Sequence, residues 1–300
     1  MTLGELGESA VLARIFPRLP EAAATLLGPG DDAAVLRAPD GRFVVTTDMM
    51  IHGPDFRFAW STPHDLGWKA AATNLADVAA MGAVPTALVV ALAAPPDTDI
   101  AVLEGLADGL RDACERLAPG CGVVGGDLSS SATFTLAVSG ALDLSARGLD
   151  LLFARAVDET GAPDAARAVA LRAEFPAEIE AQLAPSPPLL DGVAAALAGA
   201  TAMLDVSDGL AIDARRIATA SGVRLDLVFA ALESPASLEG GEAHALLATF
   251  PADAVLPSGF RVIGRVEAGE GVRVDGVPYE ERGGWDPYAD SRGSGATGER

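Results

Sequence analysis

The stretch from Pro63 to Pro85, PHDLGWKAAATNLADVAAMGAVP, constrains the fold more than any other part of the chain. Thr62 is a suitable N-cap, and a proline is well tolerated at the first helical position. Gly82 can take the left-handed position after the last turn, and Pro85 prevents continuation. About 20 helical residues form a rod of about 30 Å. Because the stretch is apolar on nearly all sides, it is predicted to be one long buried helix.

Two polar side chains interrupt this apolar helix. Asn74 and Asp77 are three residues apart and therefore lie on one face. A buried carboxylate is unfavourable unless it is paired or binds a metal. Asp77 is therefore either a structural carboxylate held by backbone donors or a ligand in a functional site.

The length and composition limit the possible classes of protein. The chain has 300 residues, which predicts one large domain or two of about 150 residues each. It has no apolar run of about 18 residues, and its N-terminus lacks the apolar core of a signal peptide. Cys114 and Cys121 do not form a disulfide pattern, so a cytoplasmic, reducing location is predicted.

The net charge of −21 argues against nucleic acid as a partner, because phosphate backbones are bound by clustered Lys and Arg. The charge does not exclude a small phosphorylated substrate. An acidic site can hold a polyanion when divalent cations lie between the two.

In the N-terminal half, the pattern predicts a short helix over 4–17 and a longer one starting at Thr98 or Asp99 and ending at Pro119. A β-branched strand over 42–47 should end at Asp48. Further strands are predicted at 86–91 and 133–142, a turn leading into a short strand at 26–36, and a Gly125-Gly126 turn with Asp127 at its tip.

In the C-terminal half, residues 146–185 are helical in composition. Around 201–222 the order is a strand, a turn, and a helix capped by Ser207 or Asp208 and closed by Gly222. Strands are predicted at 222–227 and 260–266, and a hairpin over 272–279 should turn at Asp275-Gly276. The last residues, 289–300, have the composition of a disordered tail.

Seven aspartates fall at turns, at strand ends or on buried faces. Such a set of hard oxygen ligands suits Mg²⁺, which keeps several waters and bridges to phosphate oxygens. The cysteines and histidines lack zinc-like spacing, and neither a Walker A sequence nor a Rossmann strand-turn-helix context is present. The seven aspartates are Asp31, Asp32, Asp48, Asp77, Asp127, Asp205 and Asp208.

An ordered series of short motifs resembles the thiamine-monophosphate kinase family. The motifs are GDDAAVL, TTD, KAAATNLADVAAMGAVP, GGD, LDVSDGL and GGE, and they cover residues 1–145 and about 186–288. This family belongs to the superfamily of aminoimidazole ribonucleotide synthetase and selenophosphate synthetase.

The resemblance implies an α+β fold with two domains. Residues 1–145 would form an N-terminal domain of a sheet and helices, for ATP and Mg²⁺ binding and for dimerisation, and residues 146–288 a C-terminal α+β domain. It also implies a homodimer, Mg²⁺ and ATP, and the reaction of ATP with thiamine monophosphate to give ADP and thiamine diphosphate.

The resemblance also carries residue roles onto this chain. Asp77, Asp127 and Asp208 would be catalytic, and Asp55, Glu242 and Trp285 would contact the thiamine substrate. The nucleotide would meet Gly126, Asp127, Ser207 and Arg147. The metal-binding positions would be Asp32, Thr46, Thr47, Asp48, Asp77, Asp127, Asp205 and Asp208.

The chain departs from the family pattern in three places. Asp55 stands where the family usually has His, and Ala243 replaces a carboxylate after the GGE motif. LSARGLDLLFARAV replaces an Arg-containing segment, which leaves Arg147 or Arg155 as the ATP-contacting arginine. Two alternatives therefore stay open: a binding protein without turnover, and a sister ATP-dependent enzyme of the superfamily.

Overall fold

The computed structural model describes residues 1–29, 34–38, 44–138, 158, 160, 162–176, 179, 183–232, 235–239, 245–281 and 283–284. Its helices are α1 Leu3–Leu6, α2 Glu8–Ile15, α3 Pro63–Ala80, α4 Ile100–Leu117, α5 Ala165–Glu174, α6 Leu189–Leu197 and α7 Leu210–Ser221. Its strands are β1 Thr25–Leu27, β2 Val35–Leu36, β3 Asp48–Ile51, β4 Leu88–Ala94, β5 Val123–Ser130, β6 Thr135–Val138, β7 Ala202–Asp205, β8 Arg224–Leu227, β9 Leu246–Thr249, β10 Gly264–Glu267, β11 Gly271–Val274 and β12 Val277–Pro278. The mixture of helices and sheets confirms the predicted α+β class.

The N-terminal sheet has the strand order β3-β6-β4-β5 and carries α3 and α4 on one face. β4 and β5 are parallel, whereas β6 is antiparallel to both of its neighbours. The two helices are in close backbone contact, since a Cβ added at Gly67 would lie 2.0 Å from the Leu106 carbonyl oxygen. Helix α3 is predicted correctly, with Thr62 as its cap and Gly82 at a φ of 67° after its last turn.

The C-terminal part contains a second sheet, β10-β8-β11-β12, and a two-stranded sheet, β7-β9. Helix α7 packs on both and encloses a separate hydrophobic core that includes Ile217 and Leu225. The hairpin turn at Asp275-Gly276 is confirmed, with positive φ at both residues. The predicted domain boundary near 145 lies outside the described residues and stays a prediction, as does the tail at 289–300.

Helix α3 contacts both parts of the chain. A Cβ added at Gly192 of α6 would lie 2.1 Å from the carbonyl oxygen of Ala79, so α6 lies directly on the end of α3. β7 also contacts α3. At the other end of α3, Arg172 of α5 forms two hydrogen bonds to the buried carboxylate of Asp65, at 2.9 and 3.0 Å.

Four local expectations are wrong. The helix predicted over 4–17 is divided at Gly7, whose φ of 74° is not helical. Residues 44–47 are not in a strand, and Asp48 begins β3 instead of following it, because 48–51 is the segment that pairs with β6. Glycines near the site account for the other two differences.

The sequence Gly125-Gly126 lies inside β5 and is not a turn, so Asp127 is in mid-strand. The glycines allow a close approach of two strands, since a Cβ at Gly126 would lie 1.9 Å from the Val90 carbonyl oxygen. The residue that caps α7 is Gly209, with a φ of 131°, and neither Ser207 nor Asp208 caps it.

Candidate active site

The site begins with a contact between Asp77 on α3 and the segment that leads into β3. Thr46 donates a hydrogen bond from its hydroxyl to the carboxylate of Asp77. Asp77 is in the last full turn of α3, and the packing of this helix against α4, β6 and α6 fixes its position. Two residues that the sequence assigned to the site are therefore in direct contact.

Asn74 holds Asp48 next to the helix that carries Asp77. The backbone N–H of Asp48 donates to Asn74 Oδ1 at 3.1 Å, and Asn74 Nδ2 donates to the Ala70 carbonyl oxygen, also at 3.1 Å. Asn74 is therefore a buried polar link between α3 and the start of β3. The sequence marked Asn74 as unusual for its position but did not indicate this role.

The other half of the site comes from the turn between β7 and α7. β7 ends at Asp205, and the side chain of Asp77 hydrogen-bonds to that carboxylate. Asp208 follows in the turn, and Arg216 of α7 forms an ion pair with it at 2.6 Å. Residues 48, 77, 205 and 208, which are far apart in sequence, thus form one cluster of carboxylates.

The pKa values reflect this crowding. Burial, and then repulsion from Asp77, Asp205 and Asp208, raises the pKa of Asp48 to about 7. Burial and the charge of Asp208 raise the pKa of Asp205 to about 6, although Arg216 acts in the opposite direction. Without cations, the folded protein therefore holds part of this cluster protonated near neutral pH.

Asp127 and Gly126 lie elsewhere on the N-terminal sheet. β5 is three strands away from β3, which corresponds to about 14 Å at the usual strand spacing. Both residues are exposed, and they line a cavity of about 110 Å³ between the sheet, α2 and α4. Apart from Glu8, the remaining side chains of the walls are apolar and include Leu12, Phe16 and Leu106.

Three other predicted residues lie on the segments that surround the carboxylate cluster. Thr47 donates from its hydroxyl to the Val138 carbonyl oxygen at 3.4 Å. Asp55 accepts the backbone N–H of Ile51 at 2.7 Å within a tight turn. Ser207 is half-buried in the turn that carries Asp208. Asp32, Arg147, Glu242 and Trp285 lie outside the described residues, so their roles stay predictions.

In the described part of the chain, no group of three or more His, Cys, Asp or Glu side chains is arranged to hold a metal ion by itself. Mg²⁺ does not need such a cage, since it commonly takes one or two carboxylates together with waters and substrate phosphates. The donor set here consists of carboxylates and a hydroxyl, which is the chemistry that Mg²⁺ prefers. The cluster therefore fits Mg²⁺ bound jointly with a phosphate ligand.

Residues 30–142 match the family described as AIR synthase related protein, N-terminal domain. The chain is 42% identical over 324 residues to the thiamine-monophosphate kinase of Mycobacterium tuberculosis, covering 99% of this chain and 96% of the relative. None of the described helices combines the length and apolar character needed to cross a bilayer.

Solved structures give the same relationship. A thiamine-monophosphate kinase from Stenotrophomonas maltophilia is similar with a TM-score of 0.69 and 28% identity, covering 91% of this chain and 98% of that one. AaThiL, complexed with AMPPCP and TMP, is similar with a TM-score of 0.63 and 27% identity, covering 94% of this chain and 98% of that one.

Proposed function

Because this chain belongs to the thiamine-monophosphate kinase family, we propose that it transfers the γ-phosphoryl group of ATP to thiamine monophosphate, giving thiamine diphosphate and ADP. The observation that carries this proposal is the cluster of four carboxylates formed by α3, β3 and the β7–α7 turn. A family member that is complexed with AMPPCP and TMP, an ATP analogue and the substrate, supports the same pair of ligands here.

Mg²⁺ is the cofactor that fits the cluster. Its residues would be Asp48, Asp77, Asp205 and Asp208, with the Thr46 hydroxyl beside them, and the family resemblance adds Asp32, Thr47 and Asp127. When bound, Mg²⁺ neutralises charge on the phosphates of both substrates. The raised pKa of Asp48 supports this assignment, since carboxylates that repel one another favour a cation between them.

We infer that the base of ATP occupies the apolar cavity beside Gly126 and Asp127. Apolar walls with a few polar groups at the edge are typical of nucleotide sites. The distance of about 14 Å between β5 and β3 is one that a nucleoside triphosphate can span. Asp127 would then meet the nucleotide, while its second role as a metal ligand stays a prediction.

The chemistry requires alignment more than proton transfer. The attacking oxygen belongs to a phosphate whose second pKa is near 6, so it is mostly ionised at neutral pH. A strong general base is therefore unnecessary. The carboxylates of Asp77 and Asp208 would act as ligands of Mg²⁺ and would not touch the phosphates, which their negative charge repels, and α3 and the β7–α7 turn fix the positions of both carboxylates.

For the thiamine end of the substrate, the proposed contacts are Asp55, Glu242 and Trp285. A carboxylate and an aromatic face both suit a cationic heteroaromatic ring. The arginine proposed for ATP is Arg147. The buried, free thiols of Cys114 and Cys121 support a reducing, cytoplasmic location.

We also propose a homodimer formed through the N-terminal sheet. The face of this sheet opposite α3 presents apolar side chains, among them Met49 at 61% and Val89 at 49% exposure. An uncovered apolar sheet face is typical of a subunit interface. Sedimentation at micromolar protein should give the mass of two chains, and a monomer would refute this part of the proposal.

The test is thiamine diphosphate formation from ATP and thiamine monophosphate, with Mg²⁺ and with a chelator. We expect product that disappears with the chelator and in a folded Asp77→Asn variant. Asp253→Asn, at an exposed turn, is the control and should keep full activity. ATP binding without product in the unmodified protein would favour the alternative, a binding protein without turnover.

A further inference from the structure

Two residues of α7, a buried aspartate and an arginine, hold Asp208 in position. Asp213 accepts the backbone N–H groups of Asp208 and Gly209 on Oδ2, at 3.1 and 3.2 Å. Its Oδ1 accepts Arg216 Nη1 at 2.5 Å. Arg216 Nη2 in turn lies 2.6 Å from Asp208 Oδ2. The backbone and the side chain of Asp208 are therefore both restrained.

The chain conformation next to Asp208 depends on the same contacts. Gly209 has a φ of 131°, which side chains rarely tolerate, and a Cβ there would lie 2.9 Å from the Glu239 carbonyl oxygen. The turn therefore has an unusual backbone conformation, which the two N–H hydrogen bonds to Asp213 stabilise. The side chain of Asp213 is only 1% exposed, and its carboxylate already has three donors, so it does not reach a ligand itself.

We propose that Asp213 and Arg216 are positioning residues that fix the carboxylate of Asp208 for binding of the metal–nucleotide complex. This inference rests on the proposed function of the site. Arg216 contacts Oδ2 of Asp208, and among the residues that the structure describes none is found in contact with Oδ1. Partners behind a metal ligand commonly set its orientation, and their loss typically lowers metal affinity or activity about 10- to 100-fold.

The direction in which divalent-cation affinity changes on substitution of Arg216 distinguishes a positioning role from a purely electrostatic one. Removing the positive charge of Arg216 leaves the carboxylate cluster more negative, and this alone would tighten binding of a divalent cation. If Arg216 positions Asp208, the same substitution weakens binding, because Asp208 loses its fixed orientation. Arg216 is suited to substitution because its side chain is 52% exposed.

The experiment compares Arg216→Gln, Arg216→Lys and Asp213→Asn with the unmodified chain. The probe is Mn²⁺, titrated with ADP present and followed by electron paramagnetic resonance, alongside the Mg²⁺ dependence of turnover. We expect Mn²⁺ affinity to fall about tenfold in Arg216→Gln and Asp213→Asn, and less in Arg216→Lys. The Mg²⁺ concentration for half-maximal rate should rise in parallel.

Arg265→Gln is a matched control. Arg265 is exposed and pairs at 2.7 Å with the buried Asp226, which also accepts a backbone N–H, from Gly276. This arrangement resembles that of Arg216 and Asp213, but it involves none of the predicted site residues. We expect unchanged Mn²⁺ affinity in this variant.

Unchanged or tighter Mn²⁺ binding in folded Arg216→Gln would overturn the inference. If Asp213→Asn does not fold, the two Arg216 variants decide the question. Failure of the proposed function would give a different result. The unmodified chain would then form no thiamine diphosphate, while Mn²⁺ affinity would still be lower in Arg216→Gln and Asp213→Asn than in the unmodified chain.

Discussion

Replacing Asp48 with asparagine should stabilise the cation-free protein while removing kinase activity. The Asp48 carboxyl lies among other carboxylates, which together with burial raise its pKa to about 7. Asparagine has nearly the same shape and carries no charge. The backbone hydrogen bond from residue 48 to Asn74 does not involve the side chain of residue 48, so it should persist in the variant.

The size of the effect follows from the pKa. The rise from the ordinary value of 3.8 to about 7 corresponds to about 4 kcal/mol, at about 1.4 kcal/mol for each pKa unit. This is an upper bound, because the neighbouring carboxylates relax when one charge is removed. We therefore expect the free energy of unfolding of Asp48→Asn to exceed that of the unmodified protein by about 1 to 3 kcal/mol at about pH 8.

The pH dependence has a definite sign. Between about pH 4 and pH 7 the folded protein binds more protons at Asp48 than the unfolded chain does, so its free energy of unfolding falls as the pH rises. The advantage of Asp48→Asn should therefore be small near pH 4, grow up to about pH 7, and stay constant above that.

Urea unfolding in chelator at several pH values measures this advantage, with Asp253→Asn as a control that should show none. Excess Mg²⁺ and ADP should narrow the difference in the free energy of unfolding, because they bind more tightly to, and so stabilise more, the protein that keeps all four carboxylates. If Asp48→Asn is equally or less stable than the unmodified protein at pH 8 in chelator, the electrostatic reasoning about this cluster is refuted.

Two further predictions concern the packing around α3. Arg172→Ala should lower the free energy of unfolding by about 2 to 3 kcal/mol, since it leaves the buried Asp65 carboxylate without its ion pair, and thermal unfolding would show the loss. An unchanged melting temperature would contradict it. Gly67→Ala should cost about 1 to 3 kcal/mol, because its Cβ would meet the Leu106 carbonyl oxygen. Gly125→Ala, whose Cβ meets nothing within 4 Å, is the comparison, and equal stability of the two variants would rule out the packing argument.

Local signals in the sequence were sufficient to predict the helices that have strong capping residues and a clear hydrophobic periodicity. Helix α3 was predicted from Thr62 to Gly82, and α4 from Thr98 or Asp99 onward, because the residues that start and stop a helix act through local backbone chemistry. The carboxylates of Asp48, Asp77, Asp205 and Asp208 were identified as a set, and the structure brings these four together.

Two of the four wrong expectations depended on long-range strand pairing. The start of β3 is set by its register with β6, and the Gly125-Gly126 pair is in a strand because β4 approaches it closely. The sequence of β3 or of β5 alone does not show which strand it pairs with. For the same reason the sequence singled out Asn74 without its partner. Asp213 was also missed, although its contacts are local, because its side chain reaches back to the turn before its own helix.

The backbone of helix α3 lies directly against α4 near its start and against α6 near its end. Glycines make both approaches possible, since Gly67 faces the Leu106 carbonyl oxygen and Gly192 faces the Ala79 carbonyl oxygen. The amides of α3 should therefore exchange with deuterium only when the whole protein unfolds. The backbone at Asp77 would then keep one position through every turnover. The motions that admit substrate and release product belong to the segments around α3, so substitutions that alter the rate of release should be found in those segments.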